Sequence, residues 1–167
     1  SQSICQLFSK MNSQASAIVT AISNSDAEAF RVAEAMACAY FYPNVELDEP
    51  YKTDFASQPP TREDIDAIKD ALLSYVESNA RGEHVGVAFF ALGKINDDRL
   101  VAPLRAHLAQ QVRIMLSCNG ALGNLICALD NIREPVLRGQ LFSAAQVTEN
   151  LDHARHYLLK NGIDWRE

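Results

Sequence analysis

The first 41 residues carry apolar side chains at the three- and four-residue spacing of helices with one buried face. That spacing predicts a helix over residues 4–22 and a second over about 26–41. Asn24-Ser25-Asp26 supplies an N-cap for the second helix, and Pro43 ends it. The residues expected on the buried faces are Ile4, Leu7, Phe8, Met11, Ala15, Ile18, Val19, Ile22, Phe30, Ala33, Ala37, Tyr40 and Phe41.

Residues 43–60 have no helical period and hold four prolines and four acidic residues. We predict a long loop here, and long ordered loops are frequently functional. Thr61 then caps a helix over about 62–78, with Asp64 three residues later as a near capping box. The apolar positions of this helix are Ile65, Ile68, Leu72, Leu73 and Val76.

The second half of the chain predicts three short helices and a final one. They span about 83–95, 97–110, 112–128 and 144–160, and Gly162 lies just past the end of the last one. The whole chain, 1–167, therefore predicts one all-α domain of seven or eight antiparallel helices. At 167 residues and 48% hydrophobic residues, it can bury a core without disulfides or metals.

The charge of the chain bears on its partners. A formal net charge of −6 and an isoelectric point near 5.2 argue against a nucleic-acid partner, because nucleic-acid binding requires a basic surface. Residues 1–60 hold seven acidic against three basic residues, so the negative charge is concentrated there. This favours a basic protein partner through electrostatic steering, although solubility alone also explains an acidic surface.

Segments that would direct the chain to a membrane are not evident. No apolar run approaches the ~20 residues of a membrane span, and SQSICQLFSKM has no signal-peptide pattern. Cys5, Cys38, Cys118 and Cys127 lack metal-ligand spacing, and we expect reduced structural thiols. We therefore expect a cytoplasmic protein that binds no membrane.

Candidate catalytic groups are weak. His153 and His156 are three residues apart beside Asp152, but the sequence offers no third ligand, and both histidines fall on the polar side of the last helix. Cys118 lies in a helix expected to be buried, without a base to activate it. We therefore expect no catalytic residue, no metal and no cofactor.

Two stretches thirty residues apart match each other: Ala91-Leu92-Gly93-Lys94-Ile95 and Ala121-Leu122-Gly123-Asn124-Leu125. A period of ~20–50 residues is the signature of stacked helical repeats, in which neighbouring helix pairs share a core. The alternative is a coincidental match within an ordinary helical bundle.

The run from Ala91 to Leu104 resembles the short form of the HEAT repeat, in which an Ala-Leu-Gly helix end precedes an acidic turn and a helix carrying proline. Val112-Arg113 stands where that family opens its second helix, although Gln110 and Gln111 replace the acid usual before it. The resemblance is strongest over 83–128. It implies an irregular right-handed array of antiparallel helix pairs, with Leu92 and Leu122 at equivalent buried positions.

Two surfaces are candidates for binding a partner, because aromatic side chains supply binding energy and acids supply steering. The first lies around the long loop and consists of Tyr42, Glu46, Asp48, Glu49, Tyr51 and Asp54. Alternatively, Phe41 and one of these tyrosines anchor the loop to the core. The second surface consists of Asp97, Asp98 and Arg113, where nearby basic residues balance the acids.

Three functions are compatible with this sequence. A small acidic HEAT-like domain is similar to the helical immunity proteins with which bacteria neutralise their own nuclease toxins, and this similarity implies an inhibitor that covers a basic active site. The first alternative is a structural or adaptor subunit of a helical assembly. The second is an enzyme, such as a lyase, with a small-molecule pocket between helices.

Overall fold

The computed structural model describes residues 13–114, 125, 128, 147–164 and 166. This part of the chain contains seven α-helices, one 3-10 helix and no strand, which confirms the all-α prediction. The α-helices are α1 (Ser13–Ser23), α2 (Ala27–Phe41), α3 (Tyr51–Ser57), α4 (Arg62–Ser78), α5 (Val85–Gly93), α6 (Val101–Ile114) and α7 (Val147–Lys160); the 3-10 helix is Asp98–Leu100.

Two helix starts are fixed by the side chains that the sequence predicted. The Asp26 carboxylate accepts a hydrogen bond from the N–H of Glu28 at 3.1 Å, at the start of α2. At the start of α4, the Thr61 hydroxyl accepts from the Asp64 N–H at 3.2 Å and the Asp64 carboxylate accepts from the Thr61 N–H at 2.8 Å. These bonds satisfy N–H groups that a first helical turn leaves without an intrahelical acceptor.

Helices α1, α2, α4 and α5 pack as two neighbouring pairs. Helix α1 contacts α2 across residues 24–26, and α4 contacts α5 across residues 79–84. Helix α1 also contacts α4, and α2 contacts α5, so each helix of the first pair lies against its counterpart in the second. The largest fully buried side chains of this shared core are Ile22, Phe30, Met36, Ile65, Ile68, Leu72, Phe89 and Leu92.

The end of α5 lies very close to Ala128. A Cβ atom placed on Gly93 would lie 2.5 Å from the Cα and 2.8 Å from the Cβ of Ala128, so only glycine fits there without a shift. Leu92, Leu125 and Ala128 are all fully buried. Leu122, the predicted counterpart of Leu92, lies outside the described residues.

The prediction of a continuous loop over 43–60 is wrong, because α3 lies within it. Tyr51 and Phe55 are four residues apart, and their rings stack with centroids 6.3 Å apart. Phe55 is only 4% exposed, so the helix forms around one buried aromatic side chain. A helix of seven residues with one buried aromatic side chain, flanked by prolines and acids, shows no repeat of apolar positions. The hydrophobic pattern of the sequence therefore did not predict it.

The predicted break between residues 110 and 112 is also absent, since α6 runs without interruption from Val101 to Ile114. Gln110 and Gln111 are good helix formers and nothing there stops the helix. The Gln111 amide donates a hydrogen bond to the Ala80 carbonyl at 2.8 Å, which ties α6 to the connection between α4 and α5. Arg113 therefore lies in the last turn of α6 instead of opening a new helix.

Helix α7 ends two residues before Gly162, the glycine that the sequence placed just past its end. Gly162 has a φ of 72°, and its N–H donates to the Leu159 carbonyl at 3.0 Å. The Ile163 N–H donates to the Leu158 carbonyl at 2.9 Å, which completes a Schellman motif. Within the ranges that the structure describes, no helix is long and apolar enough to cross a membrane.

Candidate functional site

A groove lies between α2, the end of α5 and the segment that follows α2. Its volume is about 610 Å³. One wall is a stripe of α2 residues at helical spacing, and the opposite wall is the chain from Val45 to Tyr51. The lining residues are Glu28, Arg31, Glu34, Ala35, Cys38, Val45, Glu46, Leu47, Asp48, Glu49, Tyr51, Val87 and Lys94.

The groove has more negatively charged than positively charged side chains. Among its described lining residues, five carboxylates face the two cations Arg31 and Lys94; the carboxylates belong to Glu28, Glu34, Glu46, Asp48 and Glu49. This excess of carboxylates gives the groove a negative potential, which attracts a cation. The groove is therefore suited to a positively charged ligand.

Glu34 has the most distinctive environment of these acids. Its side chain is half-buried, and burial raises the pKa of its carboxyl, while the positive charge of Lys94 opposes that rise. No hydrogen bond or ion pair reaches this carboxylate from the described part of the chain. A partly desolvated carboxylate without a direct partner gains more from an incoming cation than a fully hydrated one.

Cys38 lies one helical turn beyond Glu34 in the same groove. Burial raises the pKa of its thiol, Lys94 lowers it and Glu34 raises it. The thiol is free and half-buried, in line with a reduced structural cysteine. Because the net shift favours the protonated thiol, the surroundings do not activate Cys38 as a nucleophile.

Tyr51 holds the outer wall of the groove to α2. Its hydroxyl donates a hydrogen bond to Glu28 Oε1 at 2.7 Å, and this bond raises the pKa of the Tyr51 hydroxyl. Its ring packs on Phe55 and against the edge of the core. These contacts favour the alternative in which Tyr51 anchors the segment; Phe41, half-buried against Tyr40, is an anchor of the same kind.

A second, smaller cavity of about 330 Å³ shares the lining residues Val45, Glu46 and Leu47 with the groove. Lys52 and Glu46 form an ion pair at its edge, with Nζ 3.1 Å from Oε1. Its lining is mostly apolar or aromatic: Ala39, Tyr42, Pro43, Asn44, Val45, Glu46, Leu47, Lys52, Phe55 and Ala56.

The structure thus brings most of the first predicted surface together. Glu46, Asp48, Glu49 and Tyr51 line the groove, and Tyr42 lines the smaller cavity with Glu46. Asp54 is exposed on α3 and lines neither.

The α2 wall and Lys94 were missed in the sequence. Glu28, Arg31 and Glu34 recur every three residues on the polar side of α2, so helical periodicity offered a signal for that wall. Lys94 had no comparable signal.

Asp97, from the second predicted surface, is only 8% exposed. Its carboxylate accepts hydrogen bonds from Arg99 Nη2 at 2.8 Å and Lys69 Nζ at 3.2 Å, and Arg62 Nη2 lies 3.8 Å away. The Arg99 side chain, followed by the Arg99 N–H and Lys69, holds the pKa of Asp97 well below its usual range against the opposing effect of burial. This arrangement joins α4 to the turn before α6.

The other members of that surface and the histidine pair are placed differently. Asp98, Arg113 and His156 are exposed. The side chain of His153 and the whole of Cys118 lie outside the described residues. No group of three or more His, Cys, Asp or Glu residues with metal-site geometry occurs in the ranges that the structure describes.

Comparison of the chain with protein-family models, with curated proteins and with solved structures gave no match.

Proposed function

We propose that this protein binds another protein, and that the acidic groove takes a basic segment of that partner. The observation that carries this proposal is Glu34, a half-buried carboxylate that no ion pair reaches from the described part of the chain. It lies in a groove with five acids and two cations, and of these acids Glu46 is paired with Lys52 outside the groove. A lysine or arginine side chain would supply the missing charge and form charge-assisted hydrogen bonds.

The biological role that fits such binding best is that of an immunity-type inhibitor, in which an acidic protein covers the basic active site of a toxin such as a nuclease. The net charge of −6 and its concentration around the groove support this role. Complementary charge speeds association, which an inhibitor of a lethal enzyme requires.

We further propose that the helix pairs form an irregular HEAT-like array. Support comes from the contacts of α1 with α4 and of α2 with α5, and from the approach of Gly93 to Ala128. The uninterrupted α6 is a departure from the family pattern, since that family would begin a new helix near Val112.

The experiment begins with capture of partners from the source cell on the immobilised protein, followed by association kinetics with the captured protein. Glu34→Lys and Asp48→Lys should each slow association by roughly three- to tenfold at low salt and weaken its salt dependence. Asp54→Lys is the matched control, because it makes the same change of charge at an exposed position outside the groove, and it lies on the same segment as Asp48.

Two results would contradict the proposal. If Asp54→Lys slows association as much as Glu34→Lys, the effect comes from overall charge and the groove is not the site. If the captured partner is acidic and binds all variants equally, neither the groove nor an immunity-type role is supported.

A further inference from the structure

The groove and the smaller cavity meet at Val45, Glu46 and Leu47, which we call the ridge. All three residues line both cavities, so the ridge lies between two adjacent openings. Val45 is 55% exposed, and it is one of two large hydrophobic residues exposed to this extent in the described part of the chain. An apolar side chain on a ridge between two openings becomes buried when one ligand spans both.

The two openings differ in net charge. The groove has an excess of carboxylates, with Glu34 on its α2 wall. In the smaller cavity, which we call the apolar pocket, Glu46 is paired with Lys52, and Tyr42, Pro43 and Phe55 provide apolar surface. A volume of about 330 Å³ is at the low end for small-ligand sites and suits one bulky side chain.

We propose that the partner segment crosses this ridge, with a lysine or arginine in the groove against Glu34 and a bulky apolar side chain in the apolar pocket. The inference rests on the proposed function and adds a second specificity-determining subsite to it. Charge complementarity identifies the occupant of the groove, and the ridge makes the apolar pocket the next place that an extended segment meets. Both faces of Val45 then lose contact with water, which adds hydrophobic stabilisation.

The test uses a positional-scanning library of acetylated and amidated octapeptides, selected on the immobilised full chain. We expect enrichment of Lys or Arg at one position together with Leu, Met or Phe at a second position at a fixed separation. Glu34→Gln should reduce the basic preference by roughly threefold or more and leave the apolar preference unchanged. Ala56→Phe, which fills the apolar pocket from α3, and Val45→Ser should each reduce the apolar preference at least fivefold.

Leu159→Ser is the matched control for Val45→Ser. Leu159 is 53% exposed on α7, outside the lining of both cavities, so its replacement should leave both preferences unchanged. Val45 and Ala56 are exposed, and circular dichroism should show unchanged helix content in both variants.

The outcomes separate this inference from the proposed function. Basic enrichment without a coupled apolar preference would overturn the two-subsite inference and leave the acidic groove as the binding site. Absence of basic enrichment would overturn both. Self-association of the chain in sedimentation, abolished by Val45→Ser, would show that the ridge binds a second copy and would also overturn the inference.

Discussion

Gly93 provides a direct test of the packing between α5 and the chain around Ala128. The substitution Gly93→Ala adds one methyl group at a fully buried position. That methyl would lie 2.5 Å from the Ala128 Cα, which is a backbone atom and cannot rotate away. The two segments must therefore move apart, and the buried atoms packed across this approach would lose contacts.

Two opposing terms set the size of the effect. Overpacking of a core by a methyl group costs ~1–3 kcal/mol, and contact with backbone places this case at the upper end. Replacing glycine by alanine in a helix contributes up to about 1 kcal/mol of stability, and less at the last residue of a helix. We therefore expect Gly93→Ala to lower the free energy of unfolding by about 2 kcal/mol.

The measurement is equilibrium unfolding in urea followed by circular dichroism. For a slope of about 2 kcal/mol per molar urea, the midpoint should fall by about 1 M. The double variant Gly93→Ala/Ala128→Gly lacks the Ala128 Cβ, which would lie 2.8 Å from the new methyl group, but keeps the Ala128 Cα at 2.5 Å. Its free energy of unfolding should therefore recover only part of the loss caused by Gly93→Ala. An increase in stability for Gly93→Ala, as helix propensity alone requires, would refute the close approach.

Two further predictions concern the buried carboxylate and the repeat leucines. Asp97→Asn should lower the free energy of unfolding by ~2–3 kcal/mol at pH 7. Because folding lowers the pKa of Asp97, this difference between the variant and the original protein should shrink as the pH falls below the ordinary pKa of 3.8. Urea titrations that give the same difference at pH 7 and at pH 2 would contradict this reasoning. Leu92→Ala should cost ~2–5 kcal/mol, since Leu92 is fully buried, against less than ~0.5 kcal/mol for the exposed control Leu159→Ala. Leu122→Ala should match Leu92→Ala in the same assay if the two leucines are repeat equivalents.

The parts of the fold that the sequence predicted well are those with local causes. The start of α4 follows from Thr61 and Asp64, and the end of α7 follows from Gly162, because each boundary depends on hydrogen bonds within a few residues. Long amphipathic segments such as α2 and α4 repeat their apolar positions often enough to be recognised. Helix α3 was missed because it buries a single aromatic ring, which gives no period.

One wall of the candidate site was predicted from the sequence and the other was not, because only the first is made of residues close together in the chain. The acids at 46, 48 and 49 are adjacent in the sequence and are recognised as a cluster. The opposite wall, with Glu28 and Glu34, is brought to them only by the return of the chain after α2. The prediction that Asp97 faces a partner also treated a turn acid as exposed, whereas tertiary contacts with Lys69 and Arg62 surround it.

The segment 43–60 is attached to the helices at a few positions only, and this bears on how it can be redesigned. Three side chains tie it to the helical body: Phe55 is buried, Leu47 is partly buried, and Tyr51 reaches Glu28. A helix of seven residues is not stable alone in water, so these anchors hold its shape. We therefore expect that the exposed positions between these anchors can be substituted together without disturbing the core shared by α1, α2, α4 and α5. The hypervariable loops of an immunoglobulin domain vary on a fixed scaffold in the same way.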